Sequence, residues 1–169
     1  MLLTATCTRS EINEICTNLI IEKNNFALIR KSNYRPEIIF NVWERKEIWD
    51  QYIIEITSII NENLLGRIII YCATHSSCEY LYNKLQESLT NLSIDYFHGG
   101  LQDNEREKAM NNWKSNNTQI MIATSAFGMG INSNNVRVVI HVEAPMSMSM
   151  YANLLIFFIF MYSNTFFAL

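Results

Sequence analysis

Apolar and polar positions along the chain follow two alternating periods, which predicts helices and strands in turn. Behind Thr8, apolar residues recur at helical spacing, and Thr8 with Glu11 three residues later predicts a capping box at the start of this helix. The apolar stripes of the helices are expected to face the core. Further helices are predicted over 46–63, from Ser76 onward with a second capping box to Glu79, and over 102–114. Short apolar runs predict strands at 26–30, 38–42, 67–72, 93–97, 119–123 and 136–141.

Strands that alternate with helices predict a parallel sheet with helices on both faces. Functional residues of such a sheet lie at the carboxyl ends of its strands. Those ends are predicted at 72–75, 97–100, 123–126 and 141–143. Polar side chains at these four places are therefore the first candidates for a site.

Composition limits the kind of site that the chain offers. A length of 169 residues suits one domain, and a 49 % hydrophobic share with 17 % charged residues argues against disorder. The net charge of -3 argues against tight DNA binding by the chain alone, because such binding depends on neutralised phosphates. The four cysteines form no CxxC pair, so we expect reduced thiols in an intracellular protein and no zinc site. No signal peptide is predicted at the start.

The last 16 residues form an uncharged apolar tail with a polar break at 163–165. Its length falls short of the roughly 18–20 apolar residues that a spanning helix needs, and it lacks flanking basic anchors. Membrane attachment is thus the less favoured alternative. We expect an exposed segment that is prone to aggregation.

Several stretches at the predicted strand ends resemble motifs of the RecQ branch of superfamily 2 helicases. They stand in the family's order and spacing over residues 3–151. The matching stretches are Leu3-Thr4-Ala5-Thr6 (motif III), Tyr34-Arg35-Pro36, Ile69-Ile70-Tyr71-Cys72 followed by Cys78-Glu79 (motif IV), Tyr96-Phe97-His98-Gly99-Gly100-Leu101, and residues 122–132 followed by Val136-Arg137-Val138-Val139-Ile140-His141 and Pro145 (motif V).

The resemblance implies an α/β fold, the three-layer RecA-like sheet of P-loop NTPases, incomplete at its C-terminal end. Residues 1–8 would be a remnant of the first motor lobe, and 9–151 the C-terminal RecA-like helicase lobe. Residues 152–169 would be a tail foreign to the family. An unrelated flavodoxin-like sheet is permitted by periodicity alone and disfavoured by the motif series.

The resemblance also implies roles for individual residues. The DNA backbone would be contacted by Thr74, His75, His98 and Thr124, and Thr4 and Thr6 would couple the two lobes. The nucleotide-facing set would be Gly128, Gly130, Asn132, Arg35 and Arg137, with Asn132 where many relatives carry aspartate. Plainer structural roles stay open: a tight turn for the two glycines, a helix-entry turn for Thr74 and His75, and a buried satisfied imidazole for His98.

Three motifs of the complete motor are absent from the sequence: a GxxxxGK[ST] phosphate loop, a D-E-x-H pair and the Q-x-x-G-R-x-G-R arginine motif. After Pro145 to Tyr151 the resemblance stops. No catalytic residue is therefore assigned, and we expect no DNA-stimulated ATPase from this chain alone. ATP and Mg²⁺ would belong to the complete helicase, whose expected activity is 3′–5′ DNA unwinding in repair, recombination or replication.

The partners implied by the resemblance are single-stranded or forked DNA and the missing first lobe. The expected location is the nucleus in a eukaryote and the cytoplasm otherwise. Two alternatives remain: a non-catalytic module that binds nucleic acid or a helicase, and a truncated gene-model fragment whose tail is an artefact.

Overall fold

The computed structural model describes residues 7–22, 25–30, 39–42, 48–127, 135–143 and 165–168. These residues form four helices and six strands. The helices are α1 (Arg9–Asn18), α2 (Trp49–Glu62), α3 (His75–Ser88) and α4 (Asp103–Lys114). The strands are β1 (Ile39–Val42), β2 (Arg67–Tyr71), β3 (Ile94–Phe97), β4 (Ile120–Ala123), β5 (Val136–His141) and β6 (Thr165–Ala168).

All six strands belong to one sheet, in the order β1-β6-β5-β2-β4-β3, and every neighbouring pair is parallel. Strand β2 lies between β5 and β4, and its five residues are all buried. A strand covered on both faces has no polar side, which explains why its sequence is a continuous apolar run.

Helices cover both faces of the sheet. On one face, α2 and α3 pack on Ile68 and Ile70 of β2, and on the other, α4 packs on Ile69 and Tyr71. Side chains of a strand alternate between its faces, so neighbouring residues of β2 enter different cores. The predicted three-layer α/β fold is confirmed.

Two expectations about the first third of the chain are wrong. The Thr8–Glu11 capping box forms, yet α1 contains no buried residue, and Leu19 and Ile20 beyond it are 54 % and 91 % exposed. Helix formation needs only local contacts, whereas burial needs a partner surface, and the part of the chain that the structure describes supplies none. The strand predicted at 26–30 is absent there too: no ladder pairs this segment, and Arg30 instead donates to the Cys7 carbonyl at 2.8 Å.

The apolar tail also departs from expectation. Its residues 165–168 form β6, which pairs with β1 on one side and with β5 on the other. Phenylalanine and threonine favour strands, and an interior position pairs the backbone on both sides. Whether the tail belongs to the family's lobe stays a prediction.

Candidate site at the carboxyl ends of the strands

Four neighbouring strands, β5, β2, β4 and β3, end side by side and form one polar edge. Backbone hydrogen bonds continue the pairing past the strand ends. Val142 donates to Tyr71 at 3.0 Å, Cys72 to Ala123 at 2.9 Å, and Thr124 to Phe97 at 3.1 Å. The segments after these strands are therefore held in register, and residues from four separate parts of the sequence lie along one edge.

Thr74 is the N-cap of α3, and its hydroxyl group both accepts and donates a hydrogen bond. Its Oγ1 accepts from the Ser77 amide at 3.1 Å, as an N-cap does, and donates to Ser77 Oγ at 2.8 Å. The helix-entry role is thus confirmed for Thr74. The capping box predicted at Ser76 is wrong, because the helix already begins at His75, directly after the Thr74 cap.

Glu143 closes the same cluster from the end of β5. Its Oε2 accepts from the Ala73 amide at 2.8 Å, and its Oε1 accepts from Ser77 Oγ at 3.4 Å. Thr74 therefore donates its hydroxyl proton to Ser77, and Ser77 donates its own hydroxyl proton to this carboxylate. Thr74 has no proton left for an outside acceptor while this relay is intact. The carboxylate also lies near the amino end of α3, where the helix dipole favours negative charge.

His75 and His98 form a stacked pair beside this cluster. Their ring centroids are 4.5 Å apart with an interplanar angle of 20°. His98 is 3 % exposed, whereas His75 is exposed. The Gly100 amide donates to Nδ1 of His98 at 3.2 Å, and Nε2 of His98 lies 3.0 Å from Oε1 of Glu79. In the neutral ring the proton therefore sits on Nε2, which makes no hydrogen bond among the described residues.

Thr124 follows β4 and is 6 % exposed. Its carbonyl accepts from Phe127 at 3.0 Å, which makes a tight turn at the start of the glycine-containing segment. The Tyr71 hydroxyl, from the same core cluster, donates to the Phe127 carbonyl at 3.1 Å. This turn is fixed at both ends before the glycines begin.

Buried titratable groups behind the edge are held in their neutral forms. Burial raises the pKa of Tyr71 and lowers the pKa of His141, which stacks on it at 5.2 Å, to about 4. A hydrogen bond with the Cys78 thiol, together with burial, raises the pKa of Cys72. Both cysteines are buried and belong to the apolar core.

The structure brings together four of the predicted site residues, Thr74, His75, His98 and Thr124. Arg137 lies apart from them. It is near the amino end of β5, its Nε donates to Asn135 Oδ1 at 3.3 Å, and its side chain fills the space beside Gly66. The remaining predicted residues, Thr4, Thr6, Arg35, Gly128, Gly130 and Asn132, lie outside the described residues.

Sequence reasoning placed Glu143 in a predicted strand end and assigned no role at the edge to Ser77, Glu79 or Glu143. A signal existed for Glu143, because it follows β5 directly, as Thr74 and Thr124 closely follow their own strands. The contacts of Ser77 with Glu143 and of Glu79 with His98 were invisible, since they join residues 66 and 19 positions apart.

The described residues do not fit a nucleotide–Mg²⁺ site. They contain no cluster of three metal-ligating side chains. Of the two carboxylates at the edge, Glu143 already accepts from the Ala73 amide and Glu79 lies against His98, and Arg137 lies at the opposite end of β5. The described residues alone therefore do not form a site for ATP with Mg²⁺. In the same part of the chain, no helix is long and apolar enough to cross a membrane.

Comparison with protein families shows a match over residues 50–155 to the helicase conserved C-terminal domain. Among curated proteins, the chain is 34 % identical over 151 residues to ATP-dependent DNA helicase Q-like 2 of Arabidopsis thaliana. This match covers 88 % of the chain and 21 % of the relative. It is also 34 % identical to ATP-dependent DNA helicase RecQ of Bacillus subtilis, over 89 % of the chain and 24 % of the relative. The chain thus spans less than a quarter of the length of these relatives.

Solved structures show the same fold at lower identity. Dbp5 of S. cerevisiae bound to RNA and ADP BeF3 matches with a TM-score of 0.80 and 17 % identity, over 98 % of the chain and 43 % of that protein. Helicase Lhr of Mycobacterium smegmatis, bound to ssDNA and AMP-PNP, matches with a TM-score of 0.65 and 19 % identity. It covers 78 % of the chain and 19 % of that protein.

Proposed function

The chain belongs to the family of the helicase conserved C-terminal domain and has RecQ ATP-dependent DNA helicases as homologues, and from this premise we propose that it is the second RecA-like motor lobe of such a helicase. Its function is to hold single-stranded DNA along the carboxyl ends of its strands. In the complete helicase, ATP and Mg²⁺ would drive 3′–5′ movement between two lobes. Roles in repair and recombination, and a nuclear location in a eukaryote, are part of the same proposal.

One observation carries this proposal. Thr74, His75, His98 and Thr124 come from three separate stretches of sequence, and the sheet places all of them at one edge. That edge is where parallel α/β sheets bind their ligands. The proposed phosphate contacts are the Thr124 hydroxyl and backbone amides of the edge, which position a phosphate backbone without needing a strongly basic surface.

The chain alone is proposed to bind and not to hydrolyse. Its sequence lacks the phosphate loop, the D-E-x-H pair and the arginine motif, and an arginine finger contributes about 10³–10⁵ in rate. This absence favours a non-catalytic binding module as the second candidate for the isolated product. The purified chain should therefore release no phosphate above an empty-vector control, with or without DNA. DNA-dependent phosphate release would contradict this expectation.

Thr124→Val tests the DNA contact, because valine keeps the shape of threonine and removes its hydroxyl. Fluorescence anisotropy with labelled single-stranded DNA at low salt should show binding that weakens as salt rises. Loss of one hydrogen bond to a charged phosphate should weaken binding about ten-fold.

Thr57→Val is the matched control. It removes a hydroxyl from α2 that is buried and makes no hydrogen bond among the described residues. This variant should bind DNA as the wild type does. If Thr124→Val and Thr57→Val bind equally well, Thr124 does not contact DNA. If the wild type itself shows no salt-sensitive binding, the proposed function fails for this chain.

A further inference from the structure

The stacked histidines continue into a ladder of aromatic rings that runs from the surface into the protein. His75 stacks on His98 at 4.5 Å, and Tyr96 lies 5.7 Å behind His98. Tyr82 of α3 in turn lies 4.5 Å from Tyr96. Only His75, at the outer end, is exposed; His98 is buried, and both tyrosines are partly buried. The surface of the protein at this place is thus the open side of an imidazole ring.

His98 is held by one hydrogen bond and by its burial. Its Nδ1 accepts from the Gly100 amide, and its Nε2 lies 3.0 Å from the Glu79 carboxylate. A ring that is held in this way is a rigid support. Because one face of His75 rests on this support, the exposed area of His75 comes from its outer face and edge.

Gly100 provides the space for this arrangement. A Cβ at residue 100 would come within 2.8 Å of His75 Nδ1 and 3.3 Å of His98 Nδ1. A Cβ at the neighbouring Gly99 would meet nothing within 4 Å. An alanine at 100 would therefore push against the His75 ring, whereas one at 99 would not.

We propose that the outer face of His75 binds one unpaired nucleobase by stacking, with His98 as the residue that positions it. The proposal rests on the proposed function and assigns His75 to a base instead of the phosphate backbone. Of two nearby carboxylates, Glu79 lies beside the supporting His98 ring and Glu143 at the entry of α3, and the whole chain carries a net charge of -3. Negative surroundings oppose a phosphate but not a base, because every base has a π-face that stacks on an aromatic ring.

Pre-organisation strengthens this assignment. An exposed side chain normally loses rotamer freedom when a ligand orders it. The stack on His98 already restricts the His75 ring, so less freedom remains to be lost when a base arrives. A base would extend the ladder by one more ring at ordinary stacking distance.

The test uses the full chain and two single-stranded oligonucleotides of equal length. One carries 2-aminopurine among ordinary bases, and the other has abasic sugar-phosphates in place of all bases. Stacking of 2-aminopurine on an aromatic ring quenches its fluorescence, whereas a phosphate contact does not require a base. Anisotropy reports the affinity for both oligonucleotides.

His75→Ala should lose the quenching and bind the base-containing strand about ten-fold more weakly, with its affinity for the abasic strand unchanged. His75→Phe should retain both quenching and affinity. Gly100→Ala should reduce the quenching because its new Cβ pushes the His75 ring out of place, and Gly99→Ala should behave like the wild type. His98→Phe should preserve the support that His98→Ala removes.

Three results would overturn the proposal. The first is wild-type quenching and affinity in His75→Ala, and the second is an equal loss for the abasic strand, which would mean a phosphate contact. In either case a Thr124→Val variant that still weakens binding leaves the proposed function standing. The third is a wild-type chain that binds neither strand at low salt, which overturns the proposed function and this inference together.

Discussion

Lowering the pH from 7 to 5 should destabilise the fold through His141. The His141 ring is 3 % exposed at the end of β5, and burial lowers its pKa to about 4 from the 6.5 of a free imidazole. Between these two values the unfolded chain binds a proton that the folded chain does not. Folding stability from this residue is therefore complete above pH 6.5 and is lost as the pH falls toward 4.

The magnitude follows from the same two values. A difference of about 2.5 units, at about 1.36 kcal/mol for each, corresponds to about 3 kcal/mol over the whole range. At pH 5, titration of the unfolded histidine is nearly complete and that of the folded one has barely begun. Most of the effect, about 2 kcal/mol, should therefore appear between pH 7 and pH 5. For a domain of this size that corresponds to a fall in Tm of about 4–8 °C.

Urea unfolding at pH 7 and pH 5, followed by circular dichroism, measures this loss. His141→Phe keeps a ring against Tyr71 and removes the titrating group, so its loss between the two pH values should be smaller by about 2 kcal/mol. His75→Phe is the matched control, because it removes one exposed imidazole from the same protein. If His141→Phe loses as much stability between pH 7 and pH 5 as His75→Phe does, burial of His141 is not the cause.

Substitutions at three further sites, with controls, test the core and the helix entry by the same unfolding assay. Arg67→Met should cost about 3 kcal/mol, because it strips donors from two acceptors at the end of α4, at 2.6 and 2.8 Å; an unchanged urea midpoint would show that these bonds do not stabilise the fold. Leu81→Ala should lower the free energy of unfolding by about 2–5 kcal/mol, since this side chain is fully buried. Leu65→Ala, at a site 96 % exposed, is the control and should change it by less than about 0.5 kcal/mol. Equal losses would refute the assignment of α3 to the core. Thr74→Ala should cost about 1 kcal/mol through loss of the N-cap, and Thr74→Ser should restore it; failure of serine to do so would argue against the cap.

Much of the fold was predictable from local pattern. The strand at Val136–His141 was predicted to the residue, and β2 and β4 to within one residue at an end. A strand between two others and under two helix layers must be apolar at every position. Such a strand is therefore visible in the sequence as a continuous apolar run. The Thr8–Glu11 capping box was predictable for the same reason, since its partners lie within one helical turn.

The start of α3 was not predicted correctly from the local sequence pattern. Thr74 and Ser76 are both hydroxyl residues that are able to cap a helix, and the sequence favoured Ser76 because Glu79 follows it. The structure uses Thr74, and Glu79 turns instead toward His98. The choice between two local solutions was made by contacts with residues about twenty or more positions away.

Sequence alone determined the class of the fold, the strands of its centre and the candidate strand ends, because these depend on residue type and short-range spacing. Only the tertiary structure decided that α1 stays uncovered and that residues 165–168 pair between β1 and β5. It also decided that His75 stacks on His98 and that Glu143 accepts from Ala73. The physical reason is the same in each case: these contacts join segments far apart in the chain, and their geometry exists only once the order of the strands in the sheet is set.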